Sequence, residues 1–588
     1  MSAHQLITDH LDLWTQAVTK KSTAGRGRSG KIELTGVKKL RELILELAVR
    51  GLLTDQLSTD ESSNKLLEKI IHEVKQLIKD GRFKVPKETK SNSEVEAPFK
   101  IPQTWTWCSL DQIAVIARGG SPRPIKAYTT TDSNGLNWIK IGDANKGSRL
   151  ITKAAEKIIP EGLHKTRMVY PGDLILSNSM SFGQPYILDI EGCIHDGWLL
   201  LRTPEGLVDK VFLYYLLLSP YAMNAFTDSA AGAVVQNLNA DKVRLLHVPL
   251  PPLEEQHRIV QKVDELMVLC DRLEQHTSDQ LDAHETLVDT LLRVLIQSAN
   301  ATELANNWAR LAEHFDTMFT TEQSIDKLKQ TILQLAVMGL LVEQDAGDEP
   351  PIDFLTEIHT RKTALAKERR IKRPRPLTQM DDVEQSYLAP THWAWASFQD
   401  IADDISTGPF GSMIHKHDYV EGGTPLINPS HMVGGRIKED SSVTVTPAKA
   451  EDLSSYKLAA GDIVMARRGE VGRCAVVTNR ETEWLCGTGS FVLRFHPAMN
   501  RRFILLMFAT DTVREYLTGN SVGTTMTNLN HGILKKMPVA LPSAEEQHRI
   551  VQKVDELMAL CHHLKERLNQ ASDTRCQLAG AVVEGALS

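Results

Sequence analysis

The chain has 588 residues, room for about four domains with cores of their own. Hydrophobic residues make up 42% and charged residues 24%, as in soluble globular protein, and without a signal peptide or a run of eighteen apolar residues a cytoplasmic protein is predicted. A formal net charge of −7 excludes a globally basic nucleic-acid coat but not local basic patches, and seven cysteines without a CxxC pair exclude a zinc or disulfide framework.

The first hundred residues read as largely helical. Within them the loop STAGRGRSGK sets Gly25, Gly30 and Lys31 at the GxxxxGK spacing of a phosphate loop. Ile32 stands where magnesium needs Ser or Thr, and helical sequence comes before the loop, so it reads as a flexible basic loop. KKLRELILELAVRGLL, residues 38–53, is an amphipathic helix ended by Gly51, as a left-handed C-cap prefers. It returns 288 residues later as DKLKQTILQLAVMGLL, residues 326–341, ended by Gly339. A charged helical stretch and a linker follow each copy. The second linker, residues 361–376, is RKTALAKERRIKRPRP, the most basic run in the chain. It reads as a solvated connector, with phosphate contact as the alternative. IPQTWTW at 101–107 is then answered by APTHWAW at 389–395, and these alternating tryptophans read as core rather than as platforms for bases.

Beyond these markers the two copies share only a skeleton, over roughly 145 residues each. Both have a Gly-rich loop, RGGSPRP at 118–124 and TGPFGS at 407–412. Both have a Gly-Asp turn into a strand, GDLILSNSMSFGQ at 172–184 and GDIVMARRGEVGR at 461–473. Both close on a polar loop, GAVVQNLN at 232–239 and GTTMTNLN at 523–530. Short β-rich runs (198–201, 491–495) and a helical stretch (210–218, 501–508) lie between, so each segment reads as one α+β domain.

Each copy ends in the same tract. EEQHRIVQKVDELMVLC at 254–270 recurs at 545–561 with one change, Val268 to Ala559. A repeat of this length shows two large copies of one plan. From Ile259 a heptad seam runs through Val263, Leu266, Cys270 and Leu273, meets a polar patch at Thr277, Gln280 and His284, and resumes at Leu287, Leu291 and Val294. The second seam is Ile550, Val554, Leu557, Cys561, Leu564, Leu568 and Ala571, then Leu578 and Val582. Prolines precede each helix, and paired glutamates sit in its first turn, where the dipole favours them. About forty residues at 1.5 Å rise make a rod of roughly 60 Å. Two such rods read as a spacer between two domains.

The order of Trp-x-Trp, divergent domain and EEQHRIV helix, given twice, resembles the specificity subunit (HsdS) of type I restriction-modification enzymes over nearly the whole chain. The resemblance implies an α+β fold with an internal pseudo-two-fold repeat: two divergent α+β target-recognition domains separated by a pair of long, antiparallel coiled-coil-like helices. The expected domains are an N-terminal helical segment 1–100, a first reader 101–252, a central repeated helical region 253–388, a second reader 389–541 and a C-terminal spacer helix 542–588. It further implies that each reader takes one half of an asymmetric bipartite site in double-stranded DNA, and that the helices fix the gap. Two methyltransferase subunits would dock on the chain, and restriction/translocase subunits would join through that core. No catalytic residue, metal site or bound cofactor is expected in this chain. The assembled complex is expected to use S-adenosylmethionine, ATP and Mg2+ through the partner subunits.

Base discrimination in the major groove calls for Arg or Lys on guanine and Asn or Gln on adenine, displayed on loops. The candidates in the first reader are Arg118, Ser121, Arg123, Asn178, Gln184, Gln236 and Asn237. In the second they are Ser412, Arg467, Arg468, Arg473, Thr524, Thr525 and Asn528. The Asn-Leu-Asn shared by both readers suits a turn or a backbone contact better than a base. Two other readings compete. A stand-alone adenine methyltransferase finds only a faint motif in Asn428-Pro429-Ser430-His431, without the second proline and the stacking aromatic. A coiled-coil assembly protein without DNA readout explains the heptads but leaves the divergent domains idle.

Overall fold

The computed structural model of the chain describes residues 3–20, 32–79, 83, 97–145, 147–178, 182–230, 238–377, 387, 389–519 and 529–587. The loop with Gly25, Gly30 and Lys31 lies outside them. Two compact units form, residues 1–280 with 571–588 and residues 281–570, called unit 1 and unit 2 below. Both long helices are present, Leu253–Ile296 and Ala544–Leu587, each of 44 residues. Each begins in one unit and ends in the other. Among the described residues no helix is long and apolar enough to cross a membrane.

Each unit contains an antiparallel sheet, and the strand order is the same in both. In unit 1 it runs Val115–Arg118, Trp198–Arg202, Leu174–Ser177, Pro185–Leu188, with Leu150–Ile151 added in parallel at the far edge. In unit 2 it runs Ala402–Thr407, Ser490–Phe495, Ile463–Ala466, Cys474–Val476. These strands are near-continuously apolar because both faces are covered. Leu199 and Leu201 face a core shared with Phe212, Leu213 and Leu216 of helix Lys210–Leu218. Trp198 and Leu200 face the other way, onto Ile139, Val169 and Ile194 of a second sheet. Unit 2 repeats the arrangement, with Phe491 and Leu493 on the helical side and Val492 against Ile427 and Cys486. The second sheet is where the units part. Among the described residues it has five strands in unit 1 and three in unit 2.

Each of these sheet-rich segments is closed by a two-stranded clasp. Thr106–Ser109 pairs with His247–Leu250 and Ala394–Ser397 with Pro538–Leu541, four residue pairs each. The clasp sets the tryptophan before its first strand against the start of the long helix. Trp105 Nε1 donates to Glu255 Oε2 at 2.9 Å and Trp393 Nε1 to Glu546 Oε2 at 3.0 Å. Both indoles are buried, so they belong to the core as expected. The other letters of EEQHR also have matched partners. Gln256 accepts from the Asp209 N–H and donates to Pro251 O; Gln547 accepts from Asn500 and donates to Pro542. Arg258 forks onto Asp60 and Arg549 onto Asp348, two hydrogen bonds each. Gln56 and Gln344 donate to the two glutamates at 2.6 and 2.7 Å. These partners lie beyond the repeated GLL, so the motif common to both copies extends to GLLxxQxxxD.

The C-cap glycines close the same junction. Gly51 and Gly339 both have φ +70°, and a Cβ there would lie 2.5 Å from Cγ of Pro102 or Pro390. Gly51→Ala and Gly339→Ala are each expected to lower stability by about 1–2 kcal/mol through the left-handed backbone alone. Chemical denaturation of the two variants checks this.

Two expectations need correction. Past the polar patch the first seam lies one residue later than read. Val288, Leu292 and Leu295 are buried, while Leu287 is 52% and Val294 40% exposed. In the second helix Ala579 is fully buried and Leu578 is 51% exposed. Both shifts fall after the point where the helix passes from one unit into the other, at 280/281 and 570/571. The partners change there, and a 3.6-residue helix carried through a strict 3.5 repeat has drifted by then. The basic run 361–376 is also not wholly a connector. Helix Pro351–Lys367 contains its first half, and Lys362 is buried with its amine on Gln399 O at 2.5 Å. Its alkyl stem packs and its charge finds a carbonyl.

Candidate nucleic-acid interface

Four segments meet at one end of this sheet in each unit, held by the same backbone hydrogen bonds in both. In unit 1 Gly119 N donates to Trp198 O, Asn178 N to Gly197 O and Leu238 N to Asn178 O, each at 2.9 Å. In unit 2 Gly408 N donates to Ser490 O, Arg467 N to Gly489 O and Leu529 N to Arg467 O, again each at 2.9 Å. The frame gathers the Gly-rich loop, the hairpin after the Gly-Asp turn, the tight turn before the central strand and the Asn-Leu-Asn loop. It also pairs positions between units: Arg118 with Thr407, Ser121 with Phe410, Asn178 with Arg467, Gln184 with Arg473, Asp196 with Thr488. Backbone geometry is kept while side-chain chemistry changes.

In unit 1 four candidates converge on Asp196, a residue the sequence reading missed. Arg118 Nε donates to Asp196 O at 3.1 Å and Asn178 Nδ2 to the same oxygen at 2.9 Å. Ser121 Oγ donates to Asp196 Oδ1 at 2.8 Å, and an Arg123 nitrogen lies 3.9 Å from Oδ2. His195 Nε2 stands 3.0 Å from Oδ1. Ser121 and His195 thus both contact the Asp196 carboxylate. Arg118 and Arg123 are exposed, whereas Asn178 is 1% exposed and built into the frame. Gln184 is half-buried, its backbone N–H on Ser177 Oγ at 3.0 Å. The signal for Asp196 was its place in the turn before the strand WLLLR.

Unit 2 carries arginines on the same frame. The Arg467 guanidinium lies 5.3 Å from the centroid of the buried Phe491 ring, against which His531 is stacked, also at 5.3 Å. Burial first, then neighbouring Arg468, holds Arg467 below its ordinary value. Burial, then Lys535 and Arg467, does the same to His531. Arg468 is exposed, and Arg473 pairs with Glu470 and reaches Pro429 O at 3.4 Å. Ser412 is exposed on the turn Gly411–Met413. Arg467 and Arg468 are adjacent on one loop, an arrangement that suits an anion such as phosphate.

Gln236, Asn237, Thr524, Thr525 and Asn528 lie outside the described residues. Of the shared loop, Leu238 and Leu529 are buried, and Asn239 and Asn530 cap the next helix by accepting from Asp241 N and Ile533 N. Asn428-Pro429-Ser430-His431 forms a short 3₁₀ turn in which Asn428 N contacts Nδ1 of the buried His431. Among the described residues no three His, Cys, Asp or Glu side chains are grouped to hold a metal ion.

The sequence matches the type I restriction modification DNA specificity domain over residues 102–283 and 404–571. It is 32% identical to the specificity subunit of the type I restriction enzyme EcoEI of Escherichia coli, and 34% identical to that of EcoAI from the same species; both alignments cover all of both chains. Among solved structures, the HsdS subunit from Thermoanaerobacter tengcongensis aligns over 84% of this chain and 98% of its own, with 19% identity and a TM-score of 0.38.

Proposed function

This chain belongs to the type I restriction modification DNA specificity family, and from that premise we infer that it is the sequence-recognition subunit of a type I restriction-modification complex. Each reader takes one half of an asymmetric, bipartite DNA site. One observation carries this: a single hydrogen-bond frame displays Arg118, Ser121 and Asp196 in one unit and Phe410, Arg467 and Thr488 in the other. A shared frame suits one kind of ligand, and unlike side chains suit two sequences of it. In unit 1 Arg118, Arg123, Gln184 and Asp196 are proposed to face the DNA, and in unit 2 Ser412, Arg467, Arg468 and Arg473. The candidates beyond the described residues remain expectations of the same kind.

The long helices supply the partner surface. Glu254, His257, Gln261, Glu265 and Leu269 are exposed, and so are their counterparts Glu545, His548, Gln552, Glu556 and Leu560. Exposed positions are free of core packing, and most substitutions there change stability little. That these faces are alike while the readers differ favours two copies of one partner, the methyltransferase subunit. Methyl transfer and cleavage fall to the partners, which would bring S-adenosylmethionine, ATP and Mg2+. The helices would set the gap between the half-sites.

Mapping modified adenines across the genome of a host that carries this chain with its methyltransferase subunit tests the assignment. The expected result is one asymmetric site in two parts with a constant gap. A continuous site, or modification without sequence preference, would overturn it. The purified chain alone is expected to transfer no methyl group to DNA.

A further inference from the structure

Phe410 is 69% exposed, the largest exposure of any large hydrophobic side chain among the described residues. A single exposed apolar side chain needs no explanation by itself; what marks this one is the anchored loop that carries it beside the frame. Its loop is anchored on both sides. Upstream, Gly408 is buried, its N–H bonds to Ser490, and a side chain there would run into the carbonyl oxygen of Gly487. Downstream, Met413 N donates to Phe410 O at 2.9 Å, and Met413 and Ile414 pack onto the cluster around Leu426 and Val445. The ring is thus presented by a fixed turn. Its position on the frame is that of Ser121 in unit 1, where a small hydroxyl is tied to Asp196. The exposed Arg468 side chain lies against Gly489 of the same tight turn.

Resting on the reading that unit 2 binds DNA, we propose that Phe410 is a specificity-determining residue that reads a thymine of the second half-site through its 5-methyl group. In the major groove that methyl is the apolar mark by which a base pair can be recognised, and aromatic or small apolar side chains meet it. The neighbouring arginines suit the same groove, where guanidinium groups meet guanine edges.

The test uses the chain in complex with its methyltransferase subunit and duplexes carrying the mapped site. Each thymine of the second half-site is replaced singly by deoxyuridine, which removes only the methyl group. The wild-type complex is expected to lose about fourfold in affinity at one position, the worth of one buried methyl. Phe410→Ala is expected to bind the thymine and uracil duplexes alike at that position, and Phe410→Leu to keep part of the difference. No uracil-sensitive position, or equal sensitivity in Phe410→Ala, would overturn the proposal. So would a 2-aminopurine signal showing that the ring unstacks a base step in place of touching a methyl. Wild-type preference for the intact over a scrambled second half-site is measured in the same titration. Its loss would sink the DNA reading itself, while a retained preference with no Phe410 effect sinks only this inference.

Discussion

Replacing residues 106–250 with residues 394–541 is expected to give a working subunit whose target is two copies of the second half-site. The seats are equivalent: each reader is closed by a four-pair clasp, with a tryptophan in front of it bonded to the second glutamate of the long helix. The same frame in both copies then displays Arg467, Arg468 and Phe410 or their duplicates. An inverted repeat is the expected form if the copies are related by the pseudo-two-fold that the resemblance implies. Binding to the original site should fall by at least about a thousandfold, since several base pairs are lost from readout at ~1–3 kcal/mol each. Mapping of modified adenines gives the answer. Retention of the original asymmetric site would show that recognition lies outside the exchanged segment.

The largest expected loss of stability comes from the two clasp tryptophans. Trp105→Ala and Trp393→Ala remove buried indoles, 5% and 7% exposed, and are expected to cost about 3–5 kcal/mol each. The phenylalanine variants separate packing from hydrogen bonding. Phe keeps most of the ring and strips the donor from Glu255 or Glu546, at about 1–3 kcal/mol. Trp393→Phe should be the worse of the two. Glu255 keeps Gln56 and Thr54 as donors, whereas Gln344 is the side-chain donor left on Glu546. Both glutamates are held above the ordinary carboxylate value by burial, with the indole and amide donors pulling the other way. A carboxyl whose folded value is raised stabilises the fold below its unfolded value, near 4.5, and that contribution is lost as pH rises through the folded value. The missing donor favours the charged form, so the deficit of each Phe variant should shrink as pH falls towards 4.5. Denaturation of the variants at pH 7 and pH 5 measures this; a pH-independent deficit would show that the indole bond does not act on the ionised carboxylate.

Much of the architecture was legible because the chain states it twice. The repeated tract at 254–270 and 545–561, the C-cap glycines and the Trp-x-Trp markers located both junctions, and each resolves into matched contacts. The Gly-rich and Asn-Leu-Asn loops were legible as features common to both copies, but only folding brings them, with the hairpin that follows the Gly-Asp strand, to the frame around Asn178 or Arg467. Asp196 and Phe410 were not found. A single aspartate in a turn, or a phenylalanine between Pro409 and Gly411, has no periodicity to mark it. Its meaning comes from neighbours about eighty residues away, such as Ser490 and Gly487 for the loop that carries Phe410.

The amino-acid sequence by itself determined the duplication, the α+β class of each reader, the two long helices and the loops that carry the variable chemistry. These are local patterns, set by helix and strand periods and by glycine and proline, and a repeat makes them visible without a partner. Only the tertiary structure decided which residue of each helix faces the core beyond 280 and 570. Only there did Glu255 and Glu546 become receptors for tryptophan, and Asn178 part of the frame while Arg468 stays outside it. The physical reason is common to all of these: burial and hydrogen-bond partners are properties of pairs brought together by folding, and 3.6-residue periodicity drifts until the packing partner resets it.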